Sequence, residues 1–523
     1  MNAGFPYPDC KNVYENVIKE NHIVINCTGT HFEEYNLYCA NLKKEGFTLK
    51  EQRKNGTHSY SSYEKDKLCV FLNYFENIKE LSIVFEENCN YFNYLDEYKG
   101  QVTTPSVTQI GLEDFGMSYA IRLTDSRFII IDGGWDLEPD ADKLYNYIKE
   151  NSEDEKPVIA AWIMTHEHID HYRCFNVFMR KYGLYVTVEK MLFNFKEHKD
   201  MLEEYFTDRK PDIKGEYSFE DSSESHHISI MLDIVEEFKI KTYIPHTGQC
   251  YKIGDAVCEF LSTVDDMYYF TTNTNSHSLV FKMTLAGQEI LWTGDASFSD
   301  SKLSAKYGEK LKSDILQVPH HGFGCGKEEE QIICYNYIKP SVCFLPVSDY
   351  NAYVKFCLYK KGTRHLMLNA DIDELITGDE TRTIILPYYP ENYKKNQIKN
   401  NFLDGYKSSG STVWVFTDLD TKNAEDFNFT FLNMTVFENT VSAELYFENA
   451  KDLITNIEIK IPAKSFKKIC ITDANDVNVN SAYFNWHSLN IKGIPENEKF
   501  AVRFIANEPI VISHDKHKAA YIK

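Results

Sequence analysis

The hydrophobic and polar pattern of the first hundred residues predicts a small α+β module, residues 1–100. Apolar positions recur at helical spacing from Phe32 to Leu42, and Gly46 marks the end of that helix. No motif in this module indicates a particular chemistry. Strand-like runs follow the helix at Thr57–Ser62, Lys67–Phe75 and Leu81–Phe85.

From residue 101 to residue 390, apolar strands alternate with amphipathic helices. Phe128–Ile131 and Val158–Met164 read as buried strands, and each precedes a helix, Leu137–Asn151 and His171–Lys181. This alternation is typical of a layered α/β domain. The other predicted elements are a helix at Ser225–Phe238 and strands at Ser278–Thr284, Glu289–Thr293, Asp314–Val318 and Val342–Pro346.

After about residue 400, alternation with a period of two replaces helical spacing. Polar and turn-forming residues fill the gaps, so residues 391–523 are predicted to form an all-β, sandwich-like accessory domain. The polar segment Tyr389–Gly410 is the predicted linker. The predicted strands include Val413–Phe416, Phe427–Phe431, Val441–Phe447, Ile457–Ile461, Ala501–Ile505 and Ile510–Ile512.

Composition narrows the class of protein. A chain of 523 residues with 43% hydrophobic and 26% charged residues is an ordinary globular protein of two to four domains. Its net charge of −22 argues against broad binding to nucleic acid, although a nuclease with a local basic groove remains an alternative. We expect no membrane partner and a cytoplasmic location, because no signal-like or membrane-spanning segment is evident. The 13 scattered cysteines, with no C-x-x-C pair, favour free thiols.

A cluster of metal-ligand residues directly follows the apolar run Val158–Met164. His166 and His168, two apart on an extended backbone, point the same way and can hold one cation. Asp170 and His171, on the next turn, can reach a second cation. The spacing differs from the zinc-protease motif, whose two histidines lie four apart on a helix. The cluster therefore predicts a metal site at the end of a strand.

This H-x-H-x-D-H spacing after a strand resembles the metallo-β-lactamase-fold hydrolases, over about residues 105–345. The resemblance implies an αβ/βα sandwich and assigns Asp132, in an Asp-Gly-Gly turn, as the residue that supports the metal loop. It also implies that Asp295, in Thr-Gly-Asp, bridges two metals. His277 matches a further ligand, although the family often has Gly-His-Thr-x-Gly where this chain has Asn-Ser-His-Ser-Leu. The sequence Asn-Ser-His-Ser-Leu more closely resembles the branch that includes competence-channel nuclease domains and phosphorylcholine esterases.

The last element of the family pattern is the run Pro319-His320-His321-Gly322 after a predicted strand. The resemblance matches His321 to the final ligand. His320 takes that role if the loop turns differently. Adjacent residues on an extended segment point opposite ways, so the two are not expected to bind the same ion. The histidine that is not a ligand is a candidate proton donor to the leaving group, or a hydrogen-bonding support.

Assembled, the resemblance implies two divalent metal ions and a metal-bridging hydroxide. Nitrogen and oxygen ligands suit zinc, with iron or manganese as alternatives. Asp170 is the expected catalytic residue that orients the nucleophile. His168 and His171 distinguish the chain from diiron oxygen-reducing relatives and from many β-lactamases. The implied ligands are His166, His168 and His277 for one metal, and Asp170, His171 and His321 for the other, with Asp295 between them.

The substrate is left open between several classes. A phosphodiester or other phosphoester is favoured by the motif wording. An acyl hydrolase acting on a lactone, thioester or amide with the same metals is the alternative. A third hypothesis is a metal-stabilised scaffold that binds a partner through its flanking domains. The pattern does not predict an oligomeric state. Aromatic residues predicted to contribute to the pocket wall are Phe193, Phe195, Tyr205, Phe206, Tyr217 and Phe219.

Overall fold

The chain divides into two compact units. The first is Met1–Val347 with Gly378–Tyr389, and the second is Ser348–Thr377 with Pro390–Lys523. The predicted domain boundaries near residues 100 and 390 stay predictions. None of the described helices is long and apolar enough to cross a membrane. The computed structural model describes residues 8, 10, 12–19, 21–195, 224–266, 274–324, 326–348, 351–352, 356, 360–368, 372–390, 411–422, 424–433, 435, 437–448, 454–472, 487–490, 494–495, 498–514 and 520–521.

The first unit begins with a six-stranded antiparallel sheet in the order β1-β2-β6-β5-β4-β3, with one helix on its face. The helix and the last three strands match the predicted elements. The first three strands were not predicted. Strand β3 alternates between exposed and half-exposed positions that are mostly polar, so it offers no apolar pattern. The elements are β1 (Asn12–Lys19), β2 (His22–Thr28), α1 (Phe32–Lys44), β3 (Thr48–Asn55), β4 (His58–Lys65), β5 (Leu68–Phe75) and β6 (Glu80–Glu87).

A mixed sheet follows, in the order β13-β12-β10-β9-β8-β7-β21, with β11 beside β10. Strands β9, β10, β12 and β13 are parallel, and three helices pack their apolar faces against this sheet. The strands are β7 (Ser106–Gln109), β8 (Ser118–Arg122), β9 (Phe128–Asp132), β10 (Val158–Ile163), β11 (Thr187–Val188), β12 (Lys190–Leu192), β13 (Lys241–Tyr243) and β21 (Arg382–Ile385), and the helices are α2 (Glu138–Glu150), α3 (Ile169–Tyr182) and α4 (Glu224–Glu237).

A second mixed sheet contains β14 to β19 in sequence order. Tyr119 of the first mixed sheet packs its ring against Trp292 and Phe344 of the second, so the buried faces of the two sheets meet. This is the predicted α/β metallo-β-lactamase-like sandwich. The elements are β14 (Cys250–Ile253), β15 (Ala256–Ser262), β16 (Val280–Leu285), β17 (Gln288–Trp292), α5 (Leu303–Tyr307), β18 (Ile315–Gln317), α6 (Glu328–Ile338) and β19 (Val342–Leu345).

The second unit is mostly β, as predicted for the C-terminal part of the chain. One prediction is wrong: Ala501–Ile505 and Ile510–Ile512 belong to a single strand, β28 (Lys499–Ser513). Ala506 is the last residue of β28 to pair with β24, and Val511 pairs with β23, so the strand changes partners around Pro509, which lacks an N–H to donate. Of the predicted linker, residues 391–410 lie outside the described residues. The other elements are α7 (Lys361–Leu368), β20 (Glu374–Thr377), β22 (Ser411–Asp420), β23 (Asn428–Asn433), β24 (Asn439–Phe447), β25 (Ile454–Ile461), β26 (Ser465–Thr472), β27 (His487–Asn490) and β29 (Ala520–Tyr521).

Candidate metal centre

The candidate ligands follow the ends of strands that run parallel within each sheet. Strands β9 and β10 pair in parallel, so Asp132 and the turn that begins at His166 emerge at the same edge. Strands β17 and β18 also pair in parallel, which brings Asp295 and the loop at His320 to one edge of the second sheet. Sequence-distant residues therefore meet where the two sheets face each other.

A first group of ligand atoms comes from His166, His168 and Asp295, which lie within 4.8 Å of one another. Nε2 of His166 is 3.9 Å from Oδ2 of Asp295, and the rings of His166 and His168 are 4.7 Å apart. Burial, together with repulsion from neighbouring histidines, lowers the pKa of His166 well below its usual value. Its neutral imidazole can offer a lone pair to a cation.

A second group is formed by Asp170, His171 and His321. Nε2 of His321 lies 3.1 Å from Oδ2 of Asp170 and 3.3 Å from Nε2 of His171. Burial alone would lower the pKa of His321, but Asp295 and Asp170 raise it to about 9. Metal binding here would displace protons from the imidazoles.

Asp295 lies between the two groups. Its Oδ1 is 3.3 Å from Nε2 of His171, and its Oδ2 is 3.5 Å from Nε2 of His321. Gly294 makes this position accessible: its φ is +51°, and a Cβ there would lie 2.9 Å from Cβ of Thr165 and 3.0 Å from that of Ser278. The carboxylate is therefore held where it can contact ions in both groups.

Asp132 lies behind His171 and is fully buried. Its Oδ2 accepts a hydrogen bond from Nδ1 of His171 at 2.8 Å, which leaves Nε2 of that ring facing the second group. Thr165 donates to the same carboxylate from its backbone N–H and from its hydroxyl, each at 2.7 Å. These bonds hold the carboxylate and the imidazole in a fixed orientation.

His277 lies in neither three-residue group. It ends a one-turn helix, Thr274–His277, and the strand predicted to begin at Ser278 begins two residues later, at Val280. The next two residues tie it to the centre: Ser278 Oγ accepts from the Asp295 N–H at 3.0 Å, and the Leu279 N–H donates to the Thr165 carbonyl at 2.9 Å. Its role as a ligand stays a prediction.

The loop after β18 separates the two adjacent histidines. His320 and His321 both have left-handed backbone angles, with φ of +51° and +50°, a strained conformation that concentrates at functional sites. His321 is buried in the second group. His320 is partly exposed at the rim, where its Nδ1 donates to the Gly324 carbonyl at 3.0 Å and its Nε2 accepts from Asn275 at 3.4 Å.

The sequence of this part of the chain matches a known family. Residues 111–323 match the model of the metallo-β-lactamase superfamily. These residues belong to that superfamily. No curated protein is a significant match to the sequence.

Solved structures of the superfamily fold give only distant likenesses. YhfI from Bacillus subtilis, a metallo-β-lactamase fold protein, is 13% identical, with 54% of this chain and 100% of that chain covered and a TM-score of 0.33. Igni18, a metallo hydrolase from Ignicoccus hospitalis, is 13% identical, with 53% and 98% covered and a TM-score of 0.29. CmlA, a diiron β-hydroxylase from Streptomyces venezuelae, is 9% identical, with 55% of each chain covered and a TM-score of 0.34. The family assignment rests on the sequence match alone.

The residues present fit the two-metal site expected of a metallo-β-lactamase fold. Among the described residues, Nε2 of His166, Nε2 of His277 and Oδ1 of Asp295 are buried without a hydrogen-bond partner. Buried polar atoms are normally satisfied, so the two such atoms on His166 and Asp295, which share the first ligand group, suggest that a bound ion completes their contacts. Nitrogen and oxygen ligands of a tetrahedral ion with bonds of about 2.0–2.1 Å lie roughly 3.3 Å apart. The distances of 3.1–3.9 Å between donor atoms here are close to that spacing.

Another buried histidine cluster in the same unit has different spacing. Nδ1 of His246 is 2.7 Å from Asp265, Nε2 of His246 is 2.9 Å from Glu86, and Nε2 of His22 is 2.8 Å from Asp265. These are ordinary hydrogen-bond lengths rather than ligand–ligand separations. We interpret the contacts of His246 with Asp265 and Glu86 as a hydrogen-bonded ion network.

Several residues around the centre had no role in the sequence analysis. Glu167, at a bend between His166 and His168, contacts His277, which is 110 positions away in sequence. Phe115 was missed because its ring reaches His321, at 5.7 Å between centroids, from a distant loop. Of the predicted pocket-wall aromatics, Phe193 and Phe195 pack in the core beside α3, and the other four lie outside the described residues. They are Tyr205, Phe206, Tyr217 and Phe219.

Proposed function

We propose that this chain is a dinuclear metal-dependent hydrolase that acts on phosphodiester or related phosphoester substrates. The observation that carries the proposal is the pair of buried ligand groups with Asp295 between them. Such a site requires both metals to be close, as in two-metal hydrolases. Zinc is the metal we favour for this nitrogen and oxygen donor set, with iron or manganese as the alternatives.

When bound, two divalent ions lower the pKa of water and offset negative charge that develops on the substrate oxygen. The chain's own residues then determine orientation and proton transfer. Asp170, in the first turn of α3, has its carboxylate 3.1 Å from Nε2 of His321 in the second group and is proposed to orient the attacking water. His320, with a partly exposed ring 3.9 Å from Asp295, is proposed to donate a proton to the leaving group.

Two features support hydrolysis over oxidative chemistry and over β-lactam cleavage. The second position of the metal motif is His168 rather than glutamate, and His171 follows Asp170 in the same motif.

The Asn-Ser-His-Ser-Leu and Pro-His-His-Gly segments favour a phosphoester over an acyl substrate by their resemblance to phosphoesterase branches of the superfamily. Phosphoester is therefore the substrate class that we propose, and the acyl class is the alternative in the test.

The test is cleavage of bis(p-nitrophenyl) phosphate by the zinc-loaded full chain, compared with a panel of lactones and thioesters. Asp170→Ala should lower phosphodiester cleavage by at least about 100-fold, because it removes both a ligand and the orienting carboxylate. Asp233→Asn, at an exposed position on α4, is the control and should keep the rate of the wild type.

Turnover of lactones or thioesters with no phosphodiester cleavage would reject the phosphoester proposal in favour of an acyl hydrolase. A metal-loaded chain that cleaved nothing in either panel, but retained a protein or carbohydrate through residues 400–523, would favour the scaffold hypothesis. Equal loss of activity in Asp170→Ala and Asp233→Asn would mean that the site argument is wrong.

A further inference from the structure

Glu167 contacts His277 across two segments that lie 110 positions apart in sequence. Oε1 of Glu167 is 3.1 Å from Nδ1 of His277, and both side chains are about 1% exposed. Among the described residues, Oε2 of Glu167 has no hydrogen-bond partner, so the carboxylate is held through Oε1. Burying a carboxylate with so few hydrogen bonds lowers the stability of the fold. The position of Glu167 therefore indicates a functional role.

The backbone explains why Glu167 can reach this position. Glu167 lies at a bend between His166 and His168, and from there its carboxylate reaches the end of the short helix Thr274–His277. His277 ends this helix, and Nδ1 of its ring lies against the carboxylate. The carboxylate therefore fixes which nitrogen of His277 is turned away from it.

We propose that Glu167 is a positioning residue for a metal ligand: it accepts the Nδ1 hydrogen of His277 and thereby directs Nε2 toward the metal held by His166 and His168. The inference rests on the proposed function, because it needs a metal in the first group. It assigns a role to a residue that no other step of the mechanism uses. It also accounts for the buried Nε2 of His277, which has no hydrogen-bond partner among the described residues.

The same arrangement occurs independently on the other side of the centre. Asp132 accepts from Nδ1 of His171 and leaves Nε2 of that ring toward the second group. Each half of the centre thus pairs one carboxylate with one histidine. Carboxylates in this position orient an imidazole and raise its basicity, and their loss weakens metal affinity on the order of 10–100-fold.

The test is a titration of the metal-stripped full chain with Co²⁺, followed by visible absorption. Glu167→Met removes the acceptor at similar volume, whereas Glu167→Gln keeps a neutral acceptor. We expect the affinity of one of the two equivalents to fall about 10–100-fold in Glu167→Met. Glu167→Gln should fall between this variant and the wild type. Asp132→Asn is the matched comparison and should weaken the other equivalent.

A double-mutant cycle separates positioning from a general effect on the fold. If Glu167 acts through His277, Glu167→Met should cause no further loss of Co²⁺ affinity in a His277→Ala background. Equal Co²⁺ binding by Glu167→Met and the wild type would overturn the inference, and so would a full additional loss in the His277→Ala background. A wild type that binds two Co²⁺ and hydrolyses no ester would instead refute the proposed function and leave the inference intact.

Discussion

Asp132 holds His171 through a 2.8 Å hydrogen bond to Nδ1, and Nε2 of the same ring lies 3.3 Å from Oδ1 of Asp295. One imidazole thus links a buried supporting carboxylate to the carboxylate between the two ligand groups. Asp132 has a positive φ of +55°, which a glycine would adopt more easily, so the residue is kept there at a conformational cost. The orientation of His171 in the second ligand group therefore depends on Asp132, which is not a member of that group.

Replacing Asp132 with asparagine should weaken metal binding without unfolding the chain. The amide places a donor opposite either the Thr165 N–H or both the Thr165 hydroxyl and Nδ1–H of His171, so the support of the ring is weakened. We expect metal affinity to fall about 10–100-fold, measured by competition with a chromophoric chelator. Unchanged affinity would show that His171 needs no support from Asp132.

Gly294→Ala tests the close approach that admits Asp295. Its positive φ alone should destabilise an alanine by about 1–2 kcal/mol. Contacts of 2.9 and 3.0 Å with Thr165 and Ser278 should add roughly 1–3 kcal/mol and displace Asp295. The comparison is Gly287→Ala, which has φ of +78° but nothing within 4 Å of its Cβ.

Thermal unfolding and metal content distinguish the two glycine variants. Gly287→Ala should lower the midpoint modestly and bind metal like the wild type. Gly294→Ala should lower the midpoint further and lose metal. If the two variants behave alike, the close packing around Gly294 does not position the carboxylate of Asp295.

The grouping of the candidate ligands was largely predictable from the sequence because these residues follow strand ends. Asp132, Asp295 and the histidine motif each come directly after an apolar run, and parallel strands bring such ends together. The pairing of Glu167 with His277 was not predictable, since it joins residues 110 apart through the packing of a short helix. The same holds for Glu86 and His246, which are 160 apart.

Two parts of the fold that escaped prediction have weak local patterns. The edge strand Thr48–Asn55 is almost entirely polar, so its place in the sheet is decided by hydrogen bonding to β4 rather than by apolar alternation. In β28 the run Asn507-Glu508-Pro509 reads as a break between strands. The strand nevertheless continues through this run, and its pairing changes there from β24 to β23.

Alanine variants of His320 and His321 should differ in metal content and in activity. His321→Ala should lose metal from the second group together with activity, because the ring is buried among Asp170, His171 and Asp295. His320→Ala should keep both metals and lower kcat about 100-fold or more, if the ring donates a proton to the leaving group. Metal analysis and steady-state kinetics on both variants make the comparison. Loss of metal in His320→Ala with retention in His321→Ala would reverse the assignment.

The ion network around His246 predicts a pH dependence of stability. Burial lowers the pKa of His246, but Asp265 and Glu86 outweigh it and raise the pKa to about 10. An unfolded histidine titrates near about 6.5. The protonated network therefore stabilises the fold fully below about pH 6.5, and that contribution is lost as pH rises through about 10. His22 also faces Asp265 in this network.

Replacing His246 with glutamine should flatten the fall of the unfolding midpoint between pH 7 and pH 10. His58→Gln is the control: burial lowers the pKa of His58 to about 4, so it stays neutral throughout this range in both the folded and the unfolded chain. The measurement is thermal unfolding at several pH values. A wild type and a His246→Gln variant with the same slope would contradict the network's proposed protonation.

The central claim is that two metals held by these residues drive ester hydrolysis. Its most direct test is to titrate the metal-stripped chain with Zn²⁺ while recording cleavage of bis(p-nitrophenyl) phosphate. We predict that the rate rises from near zero and reaches its plateau at two equivalents of zinc per chain. A cleavage rate that does not depend on zinc, or a chain that binds no zinc at stoichiometric concentrations, would contradict the account.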